Sequence, residues 1–351
     1  MVQIIEKYSL DFLSEEFLEL CNFQFIAFIY SSWHFDNLIS CMDLYNVSKG
    51  VIILMPTGVN RFPDYYFSDL RIKDCTVYKL TTDASDYGLS IFKRIFLKKS
   101  RKRIIIFNPM AVNIRTFSKV PLGNLTVDYV IIDEGLGTYT FPLKRKTLKE
   151  GMKQFLKKLM IVFVDINIKY QVLFYDNKCK LGLNVGLSNA LNKHYKNISE
   201  LSGLLSSEGC QYVPNSILFF KDYVVQDNEF YDQLLFKLTS FNLNVCVKLH
   251  PCEKSLDFLE LANKYGCHIV PNYLSGEQVV YLRPTCVISG FSTAGYTSAG
   301  IFNIPVFNLW ELYKDKNILL NRYREVKVFN DCISQFLPNI KFVNTLDEIS
   351  I

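Results

Sequence analysis

The sequence predicts an α/β protein built as two parallel-sheet domains, and three observations carry this. Near-continuous apolar runs recur at Asn22 to Tyr30, Val127 to Glu134 and Asn215 to Val225, the pattern of strands buried on both faces. From Asn215 to Leu309 such runs alternate with amphipathic segments of helical length, as βαβ units do. At 351 residues the chain is long for one core and suits two. The expected division is 1–205 and 206–351, two Rossmann-like sheets facing one another across a cleft.

In the first half, Asn22 to Tyr30 is the first sheet strand, and Ser31 to Asp36 forms a polar, aromatic loop before a helix over Asn37 to Tyr45. Val51 to Met55 is a strand closed by Pro56 and Gly58. Lys73 to Leu80 and Arg103 to Phe107 are further strands, the latter ending at Asn108 and Pro109. Between them, Ser90 to Arg103 interleaves seven basic residues with apolar ones at helical spacing, a solvated basic face. Val127 to Glu134 is the last clear strand of this half. Leu143 to Phe163 reads as a basic amphipathic helix, and Tyr170 to Leu205 carries no assignable pattern beyond linking the domains.

The second half opens with the Asn215 to Val225 strand and a helix over Glu229 to Ser240. The alternating run Val245 to Leu249 must be a strand, because Pro251 terminates it. A helix over Ser255 to Tyr265, a strand over His268 to Val270 and a short helix over Gln278 to Leu282 follow. Cys286 to Ser289 is a strand, the chain then turns into a helix toward Phe302, and a last strand closes near Leu309. The C-terminal segment could return across the domain boundary.

Composition narrows the functions available. Hydrophobic residues make up 49% and charged ones 21%, enough to bury large sheets and to exclude a disordered chain. The net charge of +5 is mild, compatible with an anionic ligand or an anionic membrane face, and no nucleic-acid partner is expected. Ten scattered cysteines show no Cys-x-x-Cys and no zinc spacing, which suits a reducing, cytoplasmic setting. Charges between Met1 and Phe17 break any signal-peptide core, and no apolar run is long enough to span a bilayer. Lys144, Arg145, Lys146, Lys149, Lys153, Lys157 and Lys158 could give peripheral contact with the inner face of the membrane, although the apolar face of this helix could instead pack against the protein itself.

The candidate chemistry gathers at strand ends. In open α/β sheets, ligands bind outside the carboxyl ends of the strands, and His250 sits at such an end; alone, it could equally just close a strand. Asp133 and Glu134 end another strand, pointing to opposite sides, so one can face a reacting atom as a general base. Metal ligation or helix capping would use the same pair. Gly135 permits a backbone turn that a side chain would forbid. After the strand ending at Ser289, Gly290 to Thr293 leads into a helix, and Ser292 and Thr293 serve there either as an ordinary cap or as part of an anion site. Ser32, Trp33 and His34 follow the first strand and could face a sugar, although Trp33 could instead pack on the next helix.

Taken in order, Asp133-Glu134-Gly135, His250-Pro251 and Ser292-Thr293 make the chain resemble the bacterial sialyltransferases, of the lipooligosaccharide and capsule polysialyltransferase type. The resemblance rests on three short motifs. It implies a GT-B fold, an inverting transfer of sialic acid or a related nonulosonic acid from a CMP-sugar donor, and a surface-glycan acceptor that can be lipid-linked. It implies no cofactor and no metal. Asp133 would be the base with Glu134 beside it, His250 would assist the departing CMP phosphate, and Ser292 and Thr293 would bind that phosphate. Pro251, Ser289 and Gly290 would complete the donor site and Glu277 would contact the ribose, while Ser32, Trp33, His34 and Gly135 would line the acceptor side. The run Lys248 to Pro251 with its serine-rich partner also looks like the teichoic acid polymerases that use CDP-glycerol, and a non-catalytic glycan-binding scaffold is the third reading.

Overall fold

The structure, a computed structural model, describes residues 4–7, 23–55, 62, 64–81, 103–109, 127–139, 166–176, 181–201, 212–223, 225–251, 253, 256–316 and 320–351. Both basic stretches, at 90–102 and 143–163, lie outside the described residues. The chain divides into two compact units, one of residues 1–134 with 144–172, the other of 135–143 with 173–351.

The first unit is a seven-stranded, wholly parallel sheet. Its strands are β1 (Ile4–Lys7), β2 (Phe25–Ile29), β3 (Gly50–Leu54), β4 (Thr76–Leu80), β5 (Ile104–Asn108), β6 (Val127–Ile132) and β7 (Ile166–Gln171), in the order β1-β4-β3-β2-β5-β6-β7. Strands β2, β3 and β6 are buried along their whole length, as their continuous apolar sequences require. Residues 32–36, expected as a loop, form the first turn of a helix over Ser32–Tyr45. Ser31 starts it early by accepting a hydrogen bond from the His34 N–H (3.3 Å).

The second unit carries a hairpin of β8 (Phe174–Asp176) and β9 (Leu181–Leu183), followed by a six-stranded parallel sheet. That sheet comprises β10 (Ser216–Lys221), β11 (Asn244–Leu249), β12 (His268–Ile269), β13 (Cys286–Ser289), β14 (Val306–Asn308) and β15 (Ile340–Phe342), ordered β12-β11-β10-β13-β14-β15. On one face Phe219, Val247 and Ile288 meet Tyr231, Leu234, Leu235 and Phe258 from helices Asn228–Thr239 and Leu256–Lys264. On the other, helices Val185–Leu201, Gly276–Tyr281 and Thr293–Phe302 pack on one another.

The division between units falls near 172, not at 205. Residues 185–201 form a helix that packs on the 276–281 and 293–302 helices, so it belongs with the second sheet. Its Asn-, Lys- and Ser-rich face had hidden the helical period. The C-terminal segment does not return to the first unit: helix Leu320–Ile333 leads to β15, which pairs with β14. Cys41, Cys75, Cys246, Cys267 and Cys286 are buried thiols outside any disulfide.

Candidate functional site

Each parallel sheet has a switch point, where the strand order reverses, and in open α/β sheets ligands bind there outside the carboxyl ends of the strands. In the first unit it lies between β2 and β5, in the second between β10 and β13. Every sequence-predicted site residue lies at or beside one of these edges except Glu277, which enters from a helix.

In the first unit Asp133 follows β6 and is only 1% exposed. The Trp33 indole N–H donates to Asp133 Oδ1 at 3.4 Å, and the Asn37 amide donates to the Trp33 carbonyl at 2.8 Å, fixing that turn. Trp33 and His34 are 8% and 7% exposed, so neither ring presents a face to a sugar. The indole orients the carboxylate instead. His34 Nδ1 accepts the Tyr30 N–H at 3.3 Å, and burial pushes the imidazole down to about 4, so it is neutral at pH 7.

In the second unit the residues after the acidic pair are docked on the hydroxyl motif. Gly135 has φ +95°, and a Cβ there would lie 2.6 Å from Thr293 Oγ1. That oxygen accepts the Leu136 N–H at 2.9 Å. Tyr139 anchors the same segment, accepting the Phe174 N–H at 2.9 Å and stacking on Phe329 at 5.2 Å. Thr293 is therefore committed to holding the Gly135 turn, whereas Ser292, at the helix start, makes no capping hydrogen bond. Of the hydroxyl pair, Ser292 is the one open to a ligand.

The Gly290 turn is held from two sides. Asp222, just after β10, accepts the Phe291 N–H at 3.0 and 3.1 Å, and the Asn308 amide donates to the Gly290 carbonyl at 3.2 Å. A Cβ on Gly290 would come within 2.1 Å of the Tyr313 ring and 2.5 Å of Asp222 Oδ2. Burial raises the Asp222 carboxyl to about 6 against these hydrogen bonds and the Lys221 charge. Neither Asp222 nor Asn308 was legible as a site residue, since a carboxylate and an amide at strand ends have no motif of their own.

His250 follows β11 and stacks on Tyr223 at 4.3 Å. Burial, Lys248 and Lys221 hold its pKa below the usual value, against the pull of Glu253, so the ring is mainly neutral near pH 7. Lys221 forms a buried ion pair with Glu253. Glu277, in the first turn of the 276–281 helix, is buried and lies close enough to the Lys248 ammonium to favour its charge. Ser289 is wholly buried, its hydroxyl without a hydrogen-bond partner among the described residues. Pro251 continues from His250 into a turn, closed by the Glu253 N–H on the His250 carbonyl at 2.8 Å. No three His, Cys, Asp or Glu side chains gather as a metal site among the described residues.

The fold and these edges define an α/β protein of two parallel-sheet units, each with conspicuous polar groups at the carboxyl ends of its strands. No protein-family model matches the sequence, and no curated protein does. Among solved structures the chain is similar to the E. coli heptosyltransferase WaaC with ADP, at 9% identity over 93% of this chain and 96% of that one, with a TM-score of 0.41. It is also similar to the wall teichoic acid polymerase TagF with CDPG (10% identity, 90% and 82% covered, TM-score 0.43). The UDP-N-acetylglucosamine 2-epimerase from Rickettsia bellii aligns at 12% identity over 93% and 90%, with a TM-score of 0.42. No residue of this chain takes its role from these likenesses.

Proposed function

We propose that the chain is a GT-B type glycosyltransferase that moves sialic acid or a related nonulosonic acid from its CMP-linked donor to a hydroxyl of a surface glycan, with inversion at the anomeric carbon. The observation that carries this reading is the buried carboxylate of Asp133 at a strand's carboxyl end, oriented by an indole N–H. Support comes from a neutral imidazole and an uncapped serine at equivalent strand ends of the second sheet.

In this mechanism the Asp133 carboxylate takes the proton of the acceptor hydroxyl as that oxygen attacks the anomeric carbon. The bond from that carbon to the phosphate oxygen breaks, and its electron pair stays on CMP. His250 donates a hydrogen bond to the phosphate as charge grows there, and Ser292 adds another. Thr293 and Gly135 hold the turn that follows the base, and Glu277 contacts the ribose. Asp222 and Asn308 keep the Gly290 turn open to the nucleotide. With a lipid-linked acceptor the enzyme works at the inner membrane face. No helix among the described residues is long and apolar enough to cross a membrane.

Incubation with CMP-linked sialic acid, CDP-glycerol and a panel of galactosides, followed by mass spectrometry, tests the reading. A sialylated product that disappears in Asp133→Asn is expected. Glycerol phosphate transfer instead, or no transfer with any donor, would overturn it.

A further inference from the structure

The row of residues across the second sheet at its carboxyl end contains an unexpected cation. Lys248, Phe220 and Ser289 are register partners on β11, β10 and β13, while their neighbours Val247, Phe219 and Ile288 belong to the apolar core of the opposite face. The helices come down onto this row. A Cβ on Gly276 would lie 3.0 Å from the Phe220 ring, and one on Gly295, in the first turn of the 293–302 helix, would lie 2.0 Å from Ser289 Oγ. Lys248 is thus 5% exposed inside a strand, where a methionine would fill the same space without desolvating a charge.

Among the described residues its ammonium has donors to spare. Among the described residues Nζ makes one hydrogen bond, to the Leu249 carbonyl at 3.2 Å, so the side chain curls toward the end of the strand, where His250 begins. An ammonium has three donors. Glu277 is the acid whose charge favours Lys248, and both Lys248 and Lys221 act on the His250 imidazole as positive charges. Glu253, paired with Lys221, opposes them, so Lys248 is the cation that acts most strongly on the imidazole.

We propose that Lys248 is the cation of a buried anion site at the carboxyl end of β11, which takes the phosphate of the nucleotide donor beside His250. The proposal rests on the nucleotide-donor reading above and adds to it the group that neutralises the phosphate. Burial, opposed by Glu277, lowers the Lys248 ammonium to about 8, so this counter-charge is lost just above neutral pH. The titratable groups facing it are Glu277 and His250, with Lys221 and Glu253 beyond the imidazole.

Calorimetric titration of CMP, cytidine and inorganic phosphate into the wild type and Lys248→Met tests the assignment. The expected result is CMP binding weakened by about tenfold or more, the usual size of a lost charge-assisted hydrogen bond, with cytidine binding unchanged. Equal loss for CMP and cytidine, or unchanged CMP binding, would overturn it. Should Lys248→Met fail to fold in a thermal scan, the wild type decides. CMP affinity should fall progressively above pH 8 while cytidine affinity stays flat, and a flat CMP profile rejects the site. A wild type that binds phosphate but not CMP overturns the nucleotide-donor reading and keeps the anion site if Lys248→Met abolishes phosphate binding. A wild type that binds neither overturns both.

Discussion

The two sheets place their polar groups under opposite electrostatic conditions. At the edge of the first, Asp133 is buried against an indole, and the imidazole of His34 nearby on the same helix turn is neutral. At the edge of the second, Lys221, Glu253, Lys248, Glu277 and Asp222 crowd around the ends of β10 and β11. A buried carboxylate oriented by an indole N–H suits the removal of one proton. An edge with several buried charges suits a ligand that brings charge of its own, because such groups are tolerated in a protein interior only when paired.

The largest expected effect breaks the first edge without touching the second. Asp133→Asn should lower transfer by about 100-fold or more, the scale of a general base, while leaving CMP affinity intact. Trp33→Phe, which removes the orienting N–H together with part of the buried indole ring, should cost less. Product formation by mass spectrometry and CMP titration read the two effects separately. Near wild-type turnover in Asp133→Asn would remove the assignment.

Acid should shift the stabilities of the two units in opposite directions. His34 has a folded pKa of about 4, below its unfolded value, so its neutral form contributes stability that is full above pH 6.5 and lost as pH falls toward 4. Asp222 has a folded pKa of about 6, above its unfolded value, so protonation relieves a burial cost as pH falls from 6 toward 3.8, a gain for the second unit that outweighs the smaller opposite loss from His250, whose folded pKa lies below its unfolded value. The His34 and Asp222 effects are each on the order of 3 kcal/mol over their windows. The two tryptophans report them separately, Trp33 in the first unit and Trp310 in the second. Denaturant melts of Trp33→Phe and Trp310→Phe at pH 7 and pH 5 should move in opposite directions, and parallel shifts would show that neither group controls its unit.

Glycine substitutions sharpen the contrast within the second unit. Gly290→Ala forces a methyl into Tyr313 and Asp222, and should cost about 1–3 kcal/mol of stability and weaken CMP binding. Gly182→Ala in β9 meets nothing within 4 Å and should be close to neutral. A thermal melt of each, with the same midpoint for both, would contradict the packing at Gly290.

The smallest effect separates the hydroxyl pair. Ser292→Ala should weaken CMP binding by about fivefold to tenfold, the loss of one hydrogen bond. Thr293→Val, which leaves the Leu136 N–H unpaired, should lower turnover more than CMP affinity, and Thr293→Ser should restore it. CMP affinity reduced equally in Ser292→Ala and Thr293→Val would make both residues phosphate ligands.

Much of this edge was legible in the chain. Pro251 forces β11 to end at His250, and the apolar run of β6 delivers Asp133 to a sheet edge, because strand periods and proline are local properties. The helix over 185–201 was not legible, since its polar exterior masks the apolar stripe that packs on the 276–281 and 293–302 helices. Nor was the start of the 32–45 helix, which a single serine side chain moves forward by five residues.

The sequence by itself determined the parallel strands, their carboxyl-end residues and the candidate motifs, all of which follow from neighbours in the chain. Only the tertiary structure decided what those residues touch. Trp33 is spent on Asp133, Thr293 on Leu136, and Asp222 on the Gly290 turn, partners separated by 100, 157 and 69 positions in the chain. Lys248 became a site residue only when register placed it level with Ser289, under two helix starts. Hydrogen-bond partners and desolvation depend on which strands lie side by side, and strand order is set by packing among distant segments, not by any local run of residues.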